Sequence, residues 1–186
     1  MRNFQFFFTL AIISLSFLGC GESSKRKSSK PLEAVSSVDI DRYLGLWYEI
    51  ARFPFGIQEG CFDTTAEYSL LKEGEIKVVN KCLKGSFDGK LDEAKGSAKV
   101  IDKETNAKLK VSFNFFMGLF GGANYWIIDL DDDYQYAVVS EPEGRYLWIL
   151  SRTPKMKESV YKEILARLKD DGFMIEYLQK TPQSDR

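Results

Sequence analysis

The chain has 186 residues, a formal net charge of −1 and no histidine. Near-neutral charge leaves no nucleic-acid footprint. The lack of histidine removes the commonest general base, haem ligand and zinc ligand, and argues against Ser-His or Cys-His catalysis. Asp and Glu total 27, yet no paired arrangement among them stands out as acid–base machinery; no catalytic residue, metal ligand or cofactor site is assigned.

In chain order, Arg2 precedes an apolar run from Phe4 to Leu18. It is too short to span a bilayer, which takes about 20 apolar residues, but it suits the hydrophobic region of a secretory signal. The run ends in Phe17-Leu18-Gly19-Cys20, which resembles a bacterial lipobox. That resemblance implies a signal peptide over residues 1–19, a lipidated Cys20, and an outer-membrane address in a bacterial cell envelope. Residues 20–37, rich in Ser, Lys and Gly, read as the lipidated cysteine followed by a flexible tether. Within it Lys25-Arg26-Lys27 reads as a solvated charge run, with contact to anionic headgroups as the other reading. A single domain then runs over residues 38–182, followed by a short tail at 183–186.

Within the domain, short β-branched and aromatic runs recur every ten to fourteen positions. They predict strands near 46–53, 64–71, 75–83, 93–101, 108–115, 123–130, 135–140 and 145–151. Turn signals separate them at Glu73-Gly74, Asp88-Gly89, Thr105-Asn106, Asp131-Asp132 and Glu143-Gly144. The fold class is all-β, a sandwich or barrel by its spacing, and eight antiparallel strands of this length suit a closed up-and-down barrel, which has no free edge and can hold one small ligand. The period then changes to about four at Met156, Val160, Ile164 and Leu168, predicting one amphipathic C-terminal helix packed outside the barrel. Thr153 is its expected N-cap, Pro154 its first residue and Gly172 its stop.

Cys61 and Cys82 remain in an exported chain and invite a disulfide. A hairpin loop at Lys72-Glu73-Gly74 sets Leu71 opposite Glu75 and Cys82 opposite Thr64. Bridging then requires the chain before Thr64 to curl back.

Three motifs stand out: Gly45-Leu46-Trp47, the turn Asp131-Asp132-Asp133-Tyr134, and Trp148-Ile149-Leu150-Ser151-Arg152. A glycine-x-tryptophan opening strand, an Asp-x-x-Tyr turn and an arginine closing the last long strand resemble the fingerprints of lipocalins. Within that family the chain is similar to bacterial outer-membrane lipocalins, plant temperature-induced lipocalins and apolipoprotein D. The resemblance implies that Gly45, Trp47 and Arg152 are structural, with Arg152 stacked on Trp47 at the closed end. Glu49 shares that face and needs a partner or a proton.

The resemblance to apolipoprotein D also implies lumen ligand positions at Tyr68, Asn80, Phe113, Tyr125 and Trp148, each on the alternating face expected to point inward. Lys84 matches a basic rim position, suited to a carboxylate or phosphate, with an ordinary exposed surface lysine as the other reading. The segment from Phe115 to Gly122 is an unusually apolar loop for the open end, where Phe116 and Met117 are candidate rim contacts.

The implied partners are a small hydrophobic ligand, such as a fatty acid or lysophospholipid, and a membrane reached through Cys20, in the service of membrane maintenance or stress response. A homodimer stays open. Two rival readings remain: lipid-hydroperoxide scavenging through Met117, which resembles a role of apolipoprotein D, and a surface interaction scaffold with a filled barrel.

Overall fold

The computed structural model describes residues 24–71, 74–113 and 123–185. Its eight long strands are β1 (Gly45–Arg52), β2 (Cys61–Leu70), β3 (Glu75–Lys84), β4 (Lys90–Val100), β5 (Lys108–Phe113), β6 (Ala123–Leu130), β7 (Tyr136–Ser140) and β8 (Leu147–Ser151). Each pairs antiparallel with its sequence neighbour, and β1 pairs with both β8 and β2, so the sheet closes on itself. The expected eight-strand barrel is therefore the observed one. An additional two-residue strand, β9 (Gln179–Lys180), pairs with the far end of β1.

Because β1 starts where β8 ends, that end carries the β2–β3, β4–β5 and β6–β7 turns. The other end carries the β1–β2, β3–β4 and β7–β8 loops and forms the mouth. Alternation sorts the side chains between two cores. The lumen cluster includes Trp47, Tyr68, Ile76, Val78, Leu109, Val111, Ile127 and Leu150. A second cluster joins the outer wall (Ala51, Val138, Leu147, Ile149) to the helix α2 (Glu158–Asp170) through Tyr161, Ile164 and Leu168. The helix thus packs outside, as its period predicts.

It starts later than expected. Thr153 turns its hydroxyl to the Lys155 carbonyl at 2.8 Å, fixing a bend instead of a cap. The N-cap is Lys157, without a side-chain bond. Gly172 does follow the helix end, at φ 88°.

The β2–β3 register keeps the predicted pairing, with Ala66 opposite Asn80 and Leu70 opposite Ile76. Lys72 and Glu73 of the hairpin loop lie outside the described residues. Between Phe62 and Thr65 the register slips, and Asp63 takes a φ of 46°. This bulge supplies the required curl. It brings Cys61 and Cys82 to a Cα separation of 5.4 Å, joined by a disulfide.

The tether reading of residues 24–37 is corrected. Lys25 donates its backbone N–H to Gly144 (3.0 Å), Lys27 to Gly172 (2.7 Å) and Val35 to Ile127 (2.9 Å). Leu32 is buried in the outer cluster. Composition missed this because main-chain bonds, which any residue can make, do most of the holding. The Lys25-Arg26-Lys27 run is likewise docked rather than simply solvated: the Lys25 amine lies over Phe53 and the Arg26 guanidinium over Phe173.

Candidate functional site: the barrel lumen and its two ends

The closed end is built on Trp47, which is fully buried. The Arg152 guanidinium lies 3.7 Å from the centroid of its indole, a cation–π contact strengthened by desolvation. Arg152 also donates to three carbonyls: Leu46 (3.0 Å), Arg42 (2.6 Å) and Tyr134 (3.2 Å). Tyr134 in turn accepts the Asp39 backbone N–H on its hydroxyl at 2.8 Å. The three sequence motifs therefore meet in one place. Gly45 sits there at φ 93°, a conformation costly for any side chain, and a Cβ on it would come within 3.5 Å of the Arg152 guanidinium.

Above this floor lies a tyrosine triad. The Tyr125 hydroxyl shares hydrogen bonds with those of Tyr43 (2.7 Å) and Tyr68 (3.0 Å). Burial pushes the Tyr68 phenol up to about 12 and raises Tyr43 and Tyr125 well above the usual range, so all three stay neutral. Tyr68 and Tyr125 were anticipated from sequence; Tyr43 was not. Tyr43 comes from the short helix α1 (Ile40–Tyr43), capped by Asp39, and its carbonyl accepts the Trp47 indole N–H at 2.8 Å. Four helical residues are too few for a periodic signal. The Asp39-x-x-Arg42 cap was the only clue.

Asn80 and Phe113 also face the lumen. Phe113 packs against the lumen cluster, opposite Gly96, where a Cβ would stand 2.8 Å from its ring. The Asn80 side-chain carbonyl is buried without a hydrogen-bond partner among the described residues.

Toward the mouth, Trp148 donates its indole N–H to the Gln58 side-chain oxygen at 2.8 Å. Gln58 donates its amide to Glu49 at 2.6 Å. Glu49 also accepts from the Thr181 hydroxyl (2.5 Å) and pairs with Arg52 (3.5 Å). Arg52 donates to the Gln58 carbonyl at 2.7 Å, while its Nε has no partner among the described residues. Glu49 and Arg52 are both buried. Desolvation raises the Glu49 carboxyl above its ordinary value, against the opposing pull of Thr181, Arg52 and Gln58. A register shift between Glu49 and Ala51 puts Glu49 and Arg52 on one face, which simple alternation could not foresee.

Lys84 is committed elsewhere. Its amine donates to the Ile57 (2.9 Å) and Glu59 (3.2 Å) carbonyls and lies 3.8 Å from Asp92, stapling the β1–β2 loop. Cys20, Phe116 and Met117 lie outside the described residues. A groove of about 300 Å³ on the outer wall, between Ile50, Met156, Tyr161 and Thr181, is separate from the lumen. No cluster among the described residues could hold a metal ion.

Comparison with known proteins agrees with this geometry. The lipocalin-like domain family matches residues 38–183. Temperature-induced lipocalin-1 of Arabidopsis thaliana is 41% identical over 161 residues, covering 84% of this chain and 85% of that protein. The outer membrane lipoprotein Blc of Escherichia coli K12 is 42% identical over 139 residues, covering 75% and 76%. The solved structure of insecticyanin from the tobacco hornworm Manduca sexta superposes with a TM-score of 0.69 at 18% identity, covering 89% and 91%, a likeness of fold. The barrel, the motifs at its closed end and these matches together establish that the chain belongs to the lipocalin family, whose barrels bind small hydrophobic ligands.

Proposed function

We propose that this protein is a membrane-anchored lipocalin that takes up and carries a single-chain lipid, a fatty acid or lysophospholipid, inside its barrel without catalysing any reaction. One observation carries the reading. Among the described residues the lumen tyrosines bond to one another and Trp148 bonds to Gln58, so a guest meets chiefly aromatic faces and alkyl groups. Such a lining favours an acyl chain over a polar metabolite. The Asn80 carbonyl is a buried acceptor without a partner among the described residues, suited to one hydroxyl or N–H of the guest.

Membrane attachment rests on the Phe17-Leu18-Gly19-Cys20 motif and on the likeness to an outer membrane lipoprotein. A bacterial outer-membrane location follows from the same two points. Service in membrane maintenance or stress response is proposed from the likeness to a temperature-induced lipocalin.

Titrating the mature domain with fatty acids and lysophospholipids of rising chain length, with Trp148→Phe as the fluorescence control, tests the reading. Affinity is expected to rise about fourfold per methylene until the lumen is full, the equivalent of about 0.8 kcal/mol each. An affinity independent of chain length contradicts it.

A further inference from the structure

We infer that residues 24–27 form a strap that sets the barrel mouth-down on the lipid surface, so that a ligand passes between bilayer and lumen without crossing open water. The inference rests on the proposed acylation of Cys20.

The strap is fixed by a dense set of contacts. Ser24 donates its hydroxyl to the Glu143 carbonyl at 2.5 Å. The Lys25 N–H reaches Gly144 at 3.0 Å, and its carbonyl accepts from Met174 at 2.8 Å. Arg26 Nε donates to the Asp171 carbonyl at 2.9 Å. The Lys27 N–H reaches Gly172 at 2.7 Å. The fit leaves no room at Gly172: a Cβ there would stand 2.6 Å from the Lys27 carbonyl oxygen, on a backbone already at φ 88°.

Glu143 and Gly144 belong to the β7–β8 loop, which lies at the mouth. Cys20 is four residues before Ser24. Four residues span at most about 14 Å, so an anchored Cys20 holds this part of the rim close to the headgroups. The closed end lies a strand length away. With ten residues in β3, and allowing for strand tilt, that is about 25 Å along the barrel axis. Beyond Ser24 the chain runs to the closed end, where Val38 donates to Thr105. The acyl group and the mouth thus share one end. The rim also presents Ile57 and Leu91, each 55% exposed, as apolar contacts for lipid. Exposed Leu46, Leu70, Leu71 and Ile101 at the closed end make the opposite orientation the natural competitor, and the position of the anchor decides between them.

The test places an environment-sensitive fluorescent side chain at Ser86, in the β3–β4 loop at the mouth, or at Glu104, in the β4–β5 turn at the closed end; both positions are exposed. The full lipidated chain is reconstituted in vesicles carrying a headgroup-attached quencher. Quenching several-fold stronger at Ser86 than at Glu104 is the expected result. Equal quenching, which means a barrel lying on its side, or stronger quenching at Glu104 overturns the inference.

Inserting twenty flexible residues between Cys20 and Ser24 leaves the fold untouched and should bring the ratio toward one. A ratio unchanged by the insertion removes the strap as the cause. Mass analysis of the Cys20 peptide reports acylation separately. If that cysteine is not acylated in the cell, coupling it to a maleimide lipid still tests the orientation, so the two readings fail independently.

Discussion

At the closed end, one arginine does four jobs: it stacks on Trp47 and fills three carbonyls. At the mouth, Gln58, Glu49, Arg52, Thr181 and Trp148 share their hydrogen bonds, and one guanidinium nitrogen has no partner among the described residues. The first arrangement is fully partnered although partly open to solvent. The second buries a carboxylate and a guanidinium of β1 among loop residues Gln58 and Thr181 and Trp148 of β8. The contrast sets a floor whose guanidinium is fully engaged against a mouth whose buried charges are less completely partnered among the described residues, and under the proposed function the mouth is the ligand's way in. Buried polar networks that are incompletely satisfied are costly, and they persist where function uses them.

Breaking the floor should have the largest effect. Trp47→Ala removes a fully buried indole and should cost about 3–5 kcal/mol in denaturant unfolding. Whatever fraction stays folded should keep its preference for chain length. Opening the disulfide with Cys61→Ser and Cys82→Ser should come next, at about 3 kcal/mol for a loop of this size. Arg152→Gln strands carbonyls that the guanidinium satisfies and should cost about 2 kcal/mol. Were Arg152→Gln to change ligand preference more than stability, the division between the two ends would fail.

Inside the lumen the balance should shift from stability to binding. Tyr125→Phe deletes the hydroxyl at the centre of the triad and should cost about 1 kcal/mol. It also frees the Tyr43 and Tyr68 hydroxyls toward a guest, so calorimetry should show altered headgroup preference at similar chain-length dependence.

The smallest effect sharpens the comparison through pH. The folded-state value of Glu49 is raised by burial. A raised group contributes its stability in full below the unfolded value and loses it as pH rises through the folded value. The stability of the wild type minus that of Glu49→Gln should therefore fall as pH climbs from the acid range toward neutrality. Urea midpoints of both proteins across that range check the sign; a difference that grows with pH would show that Arg52 outweighs desolvation.

Much of the floor was legible in the sequence because each of its parts is local. Gly45-x-Trp47, the Asp131 turn and Arg152 are short motifs at strand ends, and the strands between them carry clear period-2 patterns. The resemblance to apolipoprotein D, with which the alternation agrees, pointed to Tyr68, Asn80, Phe113, Tyr125 and Trp148, and Tyr68, Phe113, Tyr125 and Trp148 lie in or against the lumen cluster. The mouth was less legible for a physical reason. Its cluster joins Glu49 to Thr181, 132 positions apart, across a register shift that breaks the alternation. Lys84 has the right chemistry for an anionic headgroup, but two loop carbonyls engage it, a partnership no local pattern encodes. Residues 24–37 departed from the tether expectation because their Ser- and Lys-rich composition hides backbone hydrogen bonds.

The central claim is that the lumen holds a lipid. Its most direct test is native mass spectrometry of the mature domain purified without its anchor, followed by organic extraction and identification of whatever it carries. The account predicts one single-chain lipid per barrel, displaced by added fatty acid or lysophospholipid with quenching of Trp148. A barrel that emerges empty, and whose Trp148 emission no such lipid alters, would contradict it.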